Sequence, residues 1–327
     1  MKLAIDAMSG DKGSGIVVDA LIEHLKNDKT NQFVVVGKIE ELDRLKNYEN
    51  VEILDARSVL TMEESIMAIR RNKEASLVKA ITLAKEDKVD AVLSCGNTGI
   101  YYACAMLFLK RLAGVEKSCL MASLPTINNK GVLMLDVGAN ASNTPSQLVS
   151  FAVMANVYAQ NVLKIANPKI GLLNIGTETK KGDELHQQTY QLLTGSNNLN
   201  FAGNVEGTDI LQGEVDIVVT DGFTGNVALK TIEGTAKVLM SALKDTFKSS
   251  WKSKLGALLA KSGLYRLKSQ FGADAAGGAL MMGFVKPVIK AHGSSNSESV
   301  LKAIELAIAM ADEKVVEKLE EGLNKWE

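Results

Sequence analysis

The stretch Val132-Leu-Met-Leu-Asp-Val-Gly-Ala-Asn140 contains an unbroken apolar run that ends in a small polar turn, and a helical pattern follows at residues 147–158. An apolar run without alternating polar residues is typical of a strand in a parallel sheet that helices cover on both faces. The same succession recurs along the chain. It predicts a three-layer α/β/α fold with a mainly parallel, doubly wound sheet. An α+β fold with antiparallel strands is the alternative.

The other predicted elements repeat this pattern on both sides of that stretch. Strands are predicted at residues 2–6, 33–36, 51–54, 91–94, 120–124, 132–136, 169–175 and 217–220. Clear helical patterns lie at residues 17–25, 76–84, 147–158 and 227–243. No linker or repeat separates these elements. We therefore expect a single domain over residues 1–327, with two lobes as the alternative at this length.

The composition is that of a globular protein. Of 327 residues, 46% are hydrophobic and 23% are charged, and the formal net charge is -1. These values exclude a disordered, collagen-like or coiled-coil chain. A balanced charge also argues against a nucleic-acid partner that binds across the whole surface.

The cysteines and the apolar runs indicate a cytoplasmic protein. Cys95, Cys104 and Cys119 show no CxxC spacing, and disulfides are not expected in a reducing compartment. The first six residues reach an acidic residue too early for a signal peptide. The longest apolar run, residues 99–109, has 11 residues, whereas a membrane span needs about 20. We predict a buried helix there.

Similar polar turns follow the predicted strands. In an open α/β sheet the ligand lies beyond the carboxyl ends of the strands, so we expect these turns to share one edge of the sheet and to form the site. They cover residues 6–11, 94–99, 136–140, 174–178, 203–207, 221–226 and 290–295. Their acidic and amide side chains give the candidate site residues Asp6, Asp11, Asp136, Asn140, Asn204 and Asp221.

Two of these turns are predicted to bind an anion at the start of a helix. Backbone N–H groups at a helix N-terminus attract anions, and small residues let a ligand approach the backbone. The candidate phosphate-binding residues in these turns are Asn97, Thr98, Gly99, Thr224 and Gly225. Because Asn, Thr and Gly also favour turns and N-caps, a purely structural role is the alternative. Neither turn contains the GxGxxG or GxxxxGK[ST] motif of a nucleotide site.

The segment Lys290-Ala-His-Gly-Ser-Ser295 places a cation, an imidazole and two hydroxyls within six residues. Lys290 supplies positive charge, and His292 can exchange a proton near neutral pH. Ser294 and Ser295 are predicted to cap the next helix while they bind an anion. The alternative is a capped helix with a structural histidine. The sequence shows no nucleophilic triad and no metal-ligand spacing, and Cys95 is expected to be a small core residue.

At these turns the sequence resembles the bacterial phosphate acyltransferase family, PlsX. The resemblance covers nearly the whole chain through motifs that stand in one order: Ile5-Asp-Ala-Met8, Cys95-Gly-Asn-Thr-Gly99, Leu135-Asp-Val-Gly-Ala-Asn140, Gly171-Leu-Leu-Asn-Ile-Gly176, Gly203-Asn-Val-Glu-Gly207, Asp221-Gly-Phe-Thr-Gly-Asn-Val227 and His292-Gly-Ser-Ser295. The chain departs from the family pattern at Ser9, Ala75 and Leu280. Because Ala75 lacks the hydroxyl of the family pattern, residues 70–76 are not assigned to phosphate binding.

The resemblance implies a fold similar to those of phosphotransacetylases and of isocitrate and isopropylmalate dehydrogenases. It implies transfer of a long acyl chain from acyl-acyl-carrier protein to inorganic phosphate, which gives acyl phosphate for phospholipid (phosphatidic acid) synthesis. The product would pass to a downstream glycerol-3-phosphate acyltransferase. The resemblance also suggests a homodimer, and no cofactor is expected.

The candidate residues suit this chemistry. Phosphate has a second pKa of about 6–7, so much of it is already a dianion near neutral pH. The enzyme must therefore position the phosphate rather than deprotonate it. Amide groups can stabilise the oxyanion of the thioester, and a cation or acid can stabilise the leaving thiolate. The predicted catalytic residues are Lys181, Asn226, Lys290 and His292. Ser294 and Ser295 complete the predicted phosphate-binding set.

A basic amphipathic helical insertion is predicted at about residues 244–271. Residues 244–268 contain seven Lys or Arg and a single acid, Asp245. Such a helix is typical of a membrane-surface or acidic-partner site, which makes the protein peripherally membrane-associated. A helix that packs its leucine face on the core is the alternative. The predicted contacts with an anionic membrane or with acyl-carrier protein are Lys248, Trp251, Lys252, Leu255, Leu258, Leu259, Lys261, Arg266 and Lys268.

Three other functions remain open from the sequence. A phosphotransacetylase would use short acyl-coenzyme A. A dehydrogenase of the same fold would need acidic metal ligands and a cofactor loop, and the sequence shows neither pattern. A non-catalytic scaffold would recruit lipid-synthesis enzymes through residues 244–268 and would tolerate loss of the polar turns. The basic segment and the missing nucleotide motif favour a carrier-protein substrate.

Overall fold

The computed structural model describes residues 1–60, 64–271 and 278–324. Its strands are β1 (Lys2–Asp6), β2 (Gln32–Gly37), β3 (Val51–Asp55), β4 (Ala91–Ser94), β5 (Cys119–Leu124), β6 (Val132–Leu135), β7 (Lys169–Leu173), β8 (Asn200–Val205), β9 (Ile217–Val219), β10 (Ala279–Met282) and β11 (Val288–Lys290). Its α-helices are α1 (Gly15–Asn27), α2 (Ile66–Arg71), α3 (Ser76–Lys85), α4 (Thr98–Phe108), α5 (Pro145–Asn161), α6 (Glu184–Thr194), α7 (Gly222–Lys248), α8 (Trp251–Leu259), α9 (Lys261–Phe271), α10 (Ser297–Asp312) and α11 (Val315–Asn324).

In the described part of the chain these strands form one eleven-stranded sheet, in the order β3-β2-β1-β4-β11-β10-β5-β6-β9-β7-β8. Only the pairings β11–β10, β10–β5 and β5–β6 are antiparallel there. Helices α1, α5, α10 and α11 bury their apolar sides on one face of the sheet. Helices α3 and α4 cover the other face. The predicted three-layer α/β/α fold with a mainly parallel sheet is confirmed.

The three antiparallel pairings reverse the direction of the sheet between its two halves. Strands β1, β4 and β11 run one way, and β6, β9 and β7 run the other. Their carboxyl ends therefore lie at opposite ends of the strands, which we call the β1 end and the β6 end. The expectation that all the polar turns share one edge is wrong, because an odd number of antiparallel pairings separates β11 from β6.

All eight predicted strands are present, with ends within two residues of the expected bounds. The sequence pattern misses β8, β10 and β11. Strand β8 contains Gly203 and Asn204, whose residue types favour a turn. Strands β10 and β11 have only four and three residues, and the sequence analysis assigned neither segment to a strand. These two short strands contribute two of the three antiparallel pairings that reverse the sheet.

Helix α7 has 27 residues and is therefore about 40 Å long. Its first half packs on the α3/α4 face through Ala228, Leu229 and Ile232. It continues into α8, which has no buried residue, and then into α9. The predicted basic insertion is thus the end of α7 and two short helices rather than one helix. Among the described residues, no helix is long and apolar enough to cross a membrane.

Candidate active site

Lys290 carries a buried positive charge at the β1 end. It is the last residue of β11 and is only 6% exposed. Its Nζ donates a hydrogen bond of 2.6 Å to the carbonyl oxygen of Ala291. Among the described residues, no carboxylate lies within 4.0 Å of this ammonium. Burial lowers the pKa of Lys290 below its usual 10.5. A buried ammonium is costly without an anionic partner, so the surroundings of Lys290 favour a bound anion.

The turns after β1 and β4 are joined by a buried carboxylate. Asp6 accepts a hydrogen bond of 2.6 Å from the Ser94 hydroxyl and one of 3.2 Å from the N–H of Met8. The Ser94 oxygen accepts the N–H of Gly96 at 2.9 Å. Asp6 therefore holds the turns in place. Asp11 is exposed at the β1 end. The backbone N–H of Asp11 donates a hydrogen bond of 2.9 Å to the carbonyl oxygen of Gly293.

Free donors surround the start of α4. Asn97 caps the helix by accepting the N–H of Ile100 at 3.2 Å. In the described chain, the N–H groups of Thr98 and Gly99 have no hydrogen-bond partner. The buried hydroxyl of Ser9 is also unpaired there. The α4 start can therefore donate hydrogen bonds to an anion, as predicted for Thr98 and Gly99.

The segment after β11 differs from its predicted geometry. Helix α10 begins at Ser297, and its N-cap is Asn296, which accepts the N–H of Ser299 at 2.9 Å. The expectation that Ser294 and Ser295 cap this helix is wrong, because both lie upstream of the cap. The Ser294 hydroxyl instead lies 2.8 Å from His292 Nδ1. The N–H of Ser295 donates to the carbonyl oxygen of His292 at 3.0 Å.

The surroundings of His292 favour its neutral form. Burial and the nearby charge of Lys290 lower its pKa below 6.5. Its role at pH 7 is therefore that of a hydrogen-bonding group rather than of a second cation. Cys95 lies nearby and is 2% exposed, and burial raises the pKa of its thiol to about 12. This thiol is an inert core group, because the thiolate is the reactive form.

The β6 end is organised by Asp136. Its carboxylate accepts five hydrogen bonds at 2.8 to 3.1 Å, from the N–H groups of Leu120, Gly138, Ala139 and Asn140 and from the Asn140 amide. Burial raises its pKa, and these donors oppose that effect. Asn140 also donates to the carbonyl oxygen of Ser118 at 2.8 Å. Asp136 and Asn140 thus hold the turn after β6.

The N-terminus of α7 is closed by protein groups. The Asp221 carboxylate accepts the N–H groups of Phe223 and Thr224 at 3.0 and 2.9 Å. The carbonyl oxygen of Asp221 accepts the N–H of Gly225 at 2.9 Å. Asn143, which the sequence analysis misses, accepts the N–H of Gly222 at 3.3 Å. Anion contacts at this helix start must therefore come from the side chains of Thr224 and Asn226.

Lys181 lies in the turn between β7 and α6, at the β6 end of the sheet. Asn174 donates hydrogen bonds of 3.1 Å to the carbonyl oxygen of Lys181 and to the Asn204 side chain. Asn204 donates to the carbonyl oxygen of Glu178 at 2.8 Å. These amides shape the turn, whereas the Lys181 ammonium is 46% exposed and lies 3.8 Å from the Glu178 carboxylate. Lys181 is therefore accessible to a substrate group, with the exposed Glu178 as its ion-pair partner.

His186 is a second residue that the sequence analysis misses. Its Nδ1 lies 2.6 Å from Asp183 Oδ1, and its Nε2 lies 4.0 Å from Asp221 Oδ2. The side chain is 12% exposed. It links the turn that carries Lys181 to the cap of α7. The i,i+3 spacing of Asp183 and His186 at a helix start is the sequence signal that marks this pair.

Helix α7 connects the two ends of the sheet. It starts at the β6 end, where the Asn226 side chain packs against Gly138. It then runs back towards the β1 end, where Lys230 lowers and Glu233 raises the pKa of Lys290. The structure therefore brings Lys290, His292, Thr98 and Gly99 together at one end and Thr224, Asn226 and Lys181 at the other. The two groups therefore follow strands that run in opposite directions.

The basic segment is exposed. The apolar side chains of α8 are between 52% and 81% exposed. They are Trp251, Leu255, Leu258 and Leu259. Lys248, Lys252 and Lys261 are exposed around them, and Arg266 and Lys268 lie on α9. The side chain of Lys268 lies outside the described residues. The alternative in which the leucine face packs on the core is wrong.

Two solved structures share this fold. A phosphotransacetylase from Streptococcus pyogenes matches with a TM-score of 0.62 at 16% identity, over 96% of this chain and 94% of that chain. A branched-chain phosphotransacylase from Enterococcus faecalis matches with a TM-score of 0.61 at 16% identity, over 95% and 99%. At this identity the likeness establishes the fold.

Several proteins are much more similar to this chain in sequence than these solved structures are. A phosphate acyltransferase from Streptococcus uberis is 43% identical over 99% of this chain and 98% of its own length. One from Bacillus pumilus is 42% identical over 94% and 93%. The profile of a family described as "Fatty acid synthesis protein" matches residues 1–318. These relatives define an acyltransferase. The chain belongs to this fatty acid synthesis protein family, as the resemblance to PlsX predicts.

Proposed function

We propose that the chain transfers a long-chain fatty acyl group from acyl-acyl-carrier protein to inorganic phosphate. Lys290 is the observation that carries this proposal, because its buried ammonium has no carboxylate partner among the described residues and adjoins the free donors of α4. The name of the relatives supports phosphate as the acyl acceptor. The product would be an acyl phosphate for phospholipid synthesis, used by a downstream glycerol-3-phosphate acyltransferase.

The proposed reaction needs no covalent enzyme intermediate. A phosphate oxygen, held by Lys290 and α4, forms a bond to the thioester carbonyl carbon. The carbon–sulfur bond then breaks, and the carrier-protein thiolate leaves and takes a proton from water. The Asn226 amide stabilises the oxyanion, and the Lys181 ammonium stabilises the thiolate. The attacking oxygen and the oxyanion are bonded to the same carbon, so the proposed step requires the phosphate held by Lys290 and the Asn226 amide to meet at one carbonyl carbon.

The test is incubation of the protein with palmitoyl-acyl-carrier protein and labelled phosphate. We expect labelled acyl phosphate, trapped by hydroxylamine as the hydroxamate, together with free carrier protein. A parallel incubation uses acetyl-coenzyme A as the acyl donor in place of palmitoyl-acyl-carrier protein. Preferential turnover of acetyl-coenzyme A would favour the phosphotransacetylase alternative. Absence of product from both donors would favour the scaffold.

We also propose that the exposed segment at α8 and α9 makes the protein peripherally membrane-associated and receives the acidic carrier protein. Its support is the exposed apolar face of α8 beside several lysines. We further propose a homodimer, as the family resemblance implies. Its support is the exposure of Val238 and Leu239 on α7, 67% and 63%. Light scattering tests the dimer, and a monomer at micromolar concentration would contradict it.

A further inference from the structure

The hydroxyl of Ser9 is a buried donor without an acceptor. Ser9 lies in the turn that follows β1, at the β1 end of the sheet. Its side-chain oxygen is buried and has no hydrogen-bond partner among the described residues. We propose that Ser9 is a further phosphate-binding residue, whose hydroxyl donates a hydrogen bond to the anion held by Lys290 and the start of α4. The choice of phosphate as the ligand rests on the proposed function.

Close packing places Ser9 against the turn that leads into α4. Gly96 has no Cβ, and a Cβ built there would lie 2.9 Å from Ser9 Cβ and 3.1 Å from Ser94 Oγ. The Ser9 side chain therefore occupies the space that a larger residue at position 96 would need. Thr98 begins α4 only two residues after Gly96. Ser9 is thus a direct neighbour of the turn that presents the free N–H groups.

The strand register places Lys290 next to the same turn. Ser94 pairs with Asp6 of β1 on one side and with Lys290 of β11 on the other. Neighbouring strands lie about 4.8 Å apart. Val288, two residues before Lys290, packs in the core beneath α3 and α4, so the Lys290 side chain lies on that face as well. Ser9 and Lys290 are therefore both neighbours of Ser94.

The turn that carries Ser9 is held on two sides. A Cβ on Gly10 would lie 3.0 Å from Cys95 Cβ and 3.7 Å from the carbonyl oxygen of Gly293. The N–H of Asp11 donates to that same carbonyl oxygen. Because the backbone is fixed and Ser9 as a whole is only half-buried, its hydroxyl reaches a ligand by rotation about the Cα–Cβ bond to another staggered position.

The donors at this end share the lack of an acceptor. In the described part of the chain, the Lys290 ammonium has no carboxylate within 4.0 Å. The N–H groups of Thr98 and Gly99 have no partner there either. A buried hydroxyl without a partner costs free energy, and native proteins leave few such groups. An anion with several oxygen atoms, such as phosphate, satisfies Ser9 and these donors together.

The test measures how inorganic phosphate changes the melting temperature (Tm) of the full chain, with potassium chloride at equal ionic strength as the reference and no acyl donor. Without phosphate, Ser9→Ala should raise the Tm, because it removes a buried hydroxyl that has no partner. With phosphate, the variant should gain less Tm than the wild type. Its Kd for phosphate should be about tenfold higher, since one hydrogen bond to a charged group is lost.

Two further variants show whether the hydroxyl itself is responsible. Ser9→Gly should show the same rise in Kd, because it also lacks the hydroxyl. Ser150→Ala is the matched control, since the Ser150 oxygen is likewise buried and unpaired among the described residues. Ser150 lies on α5, which covers the other face of the sheet. This control should also raise the Tm without phosphate, but it should keep the wild-type Kd.

The results separate this inference from the proposed function. If the wild type makes acyl phosphate and Ser9→Ala keeps its Kd for phosphate, the inference fails alone. If Ser9→Ala weakens phosphate binding but the wild type makes no acyl phosphate from any donor, the proposed function fails and Ser9 remains an anion contact. A wild type whose Tm responds equally to phosphate and to chloride would overturn both the Ser9 contact and the phosphate site at Lys290.

Discussion

Gly225 packs directly against the carbonyl oxygen of Asp136, so closely that a Cβ on Gly225 would overlap that oxygen. The contact joins the first turn of α7 to the turn after β6. Gly222 makes the same kind of contact with the carbonyl oxygen of Asn140. The glycines of the Asp221-Gly-Phe-Thr-Gly-Asn226 motif are therefore explained by close packing, and they fix the direction in which α7 leaves the sheet.

We expect Gly225→Ala to destabilise the protein and to lower its activity. The added methyl must displace the turn after β6, and overpacking of this kind costs about 1–3 kcal/mol. The displacement also moves Asn226 relative to Gly138. Urea unfolding gives the loss of free energy of unfolding, and turnover gives the effect on Asn226.

Gly234→Ala is the matched control on the same helix. A Cβ on Gly234 would have no neighbouring atom within 4 Å. This substitution should leave activity unchanged and raise stability by up to about 1 kcal/mol, because alanine favours a helix interior. Equal stabilities for the two variants would contradict the packing argument.

The strands were predictable because buried strands are continuous apolar runs. The direction of the second half of the sheet was not, because it depends on β10 and β11. Strand β10 is the four-residue segment Ala279–Met282, and β11 is the three-residue segment Val288–Lys290. Their pairing with β5 and β4 is a tertiary choice that no local pattern records. This one missing fact explains why the sequence did not reveal that the strands near Lys290 and Asn226 run in opposite directions.

The pH dependence of the KM for phosphate at alkaline pH should follow the deprotonation of Lys290. Burial lowers the pKa of Lys290 below 10.5. Phosphate needs the charged lysine, so its KM should rise as pH increases through this lowered pKa, before an ordinary lysine would titrate. Lys290→Arg should lose this pH dependence, because arginine stays charged at these pH values. The measurement is the KM for phosphate between about pH 7 and pH 10. A KM that is flat over that range in the wild type would contradict the assignment.

Cys95→Ala should remain active. The thiol is buried, and its pKa of about 12 leaves almost no thiolate at neutral pH. Direct attack by phosphate also requires no acyl-enzyme. Mass spectrometry of the wild-type protein after incubation with acyl-acyl-carrier protein, without phosphate, should show the unmodified mass. An acylated protein would overturn direct transfer.

Individual functional residues were recognised from the sequence where their chemistry is unusual for a turn. Lys290 is such a residue, since a cation directly after an apolar strand has few structural uses. His186 was missed because it lies within a helical pattern, where a charged or polar residue is the expected solvent-facing type. Only the structure shows that the His186 side chain is 12% exposed and faces Asp221.

The exposed face of α8 should hold the protein on anionic membranes. Each Lys or Arg near such a surface contributes about 1 kcal/mol, and burial of one leucine side chain contributes about 1.5–3 kcal/mol. Vesicle flotation at increasing salt separates the two contributions, because salt screens the charges over about 8–10 Å. We expect binding to fall with salt and to fall at least about tenfold further in Leu258→Glu.

Leu192→Glu on α6 is the matched control, because it makes the same substitution at a side chain that is 44% exposed and distant in sequence from the basic segment. It should change vesicle binding only slightly, through its single added charge. Lys248→Gln should weaken binding at low salt and have little effect at high salt. Wild-type protein that fails to float with anionic vesicles at low salt would show that the α8 face serves another partner. Carrier-protein affinity of Leu258→Glu, measured in the same buffer, would then identify whether that partner is the acyl donor.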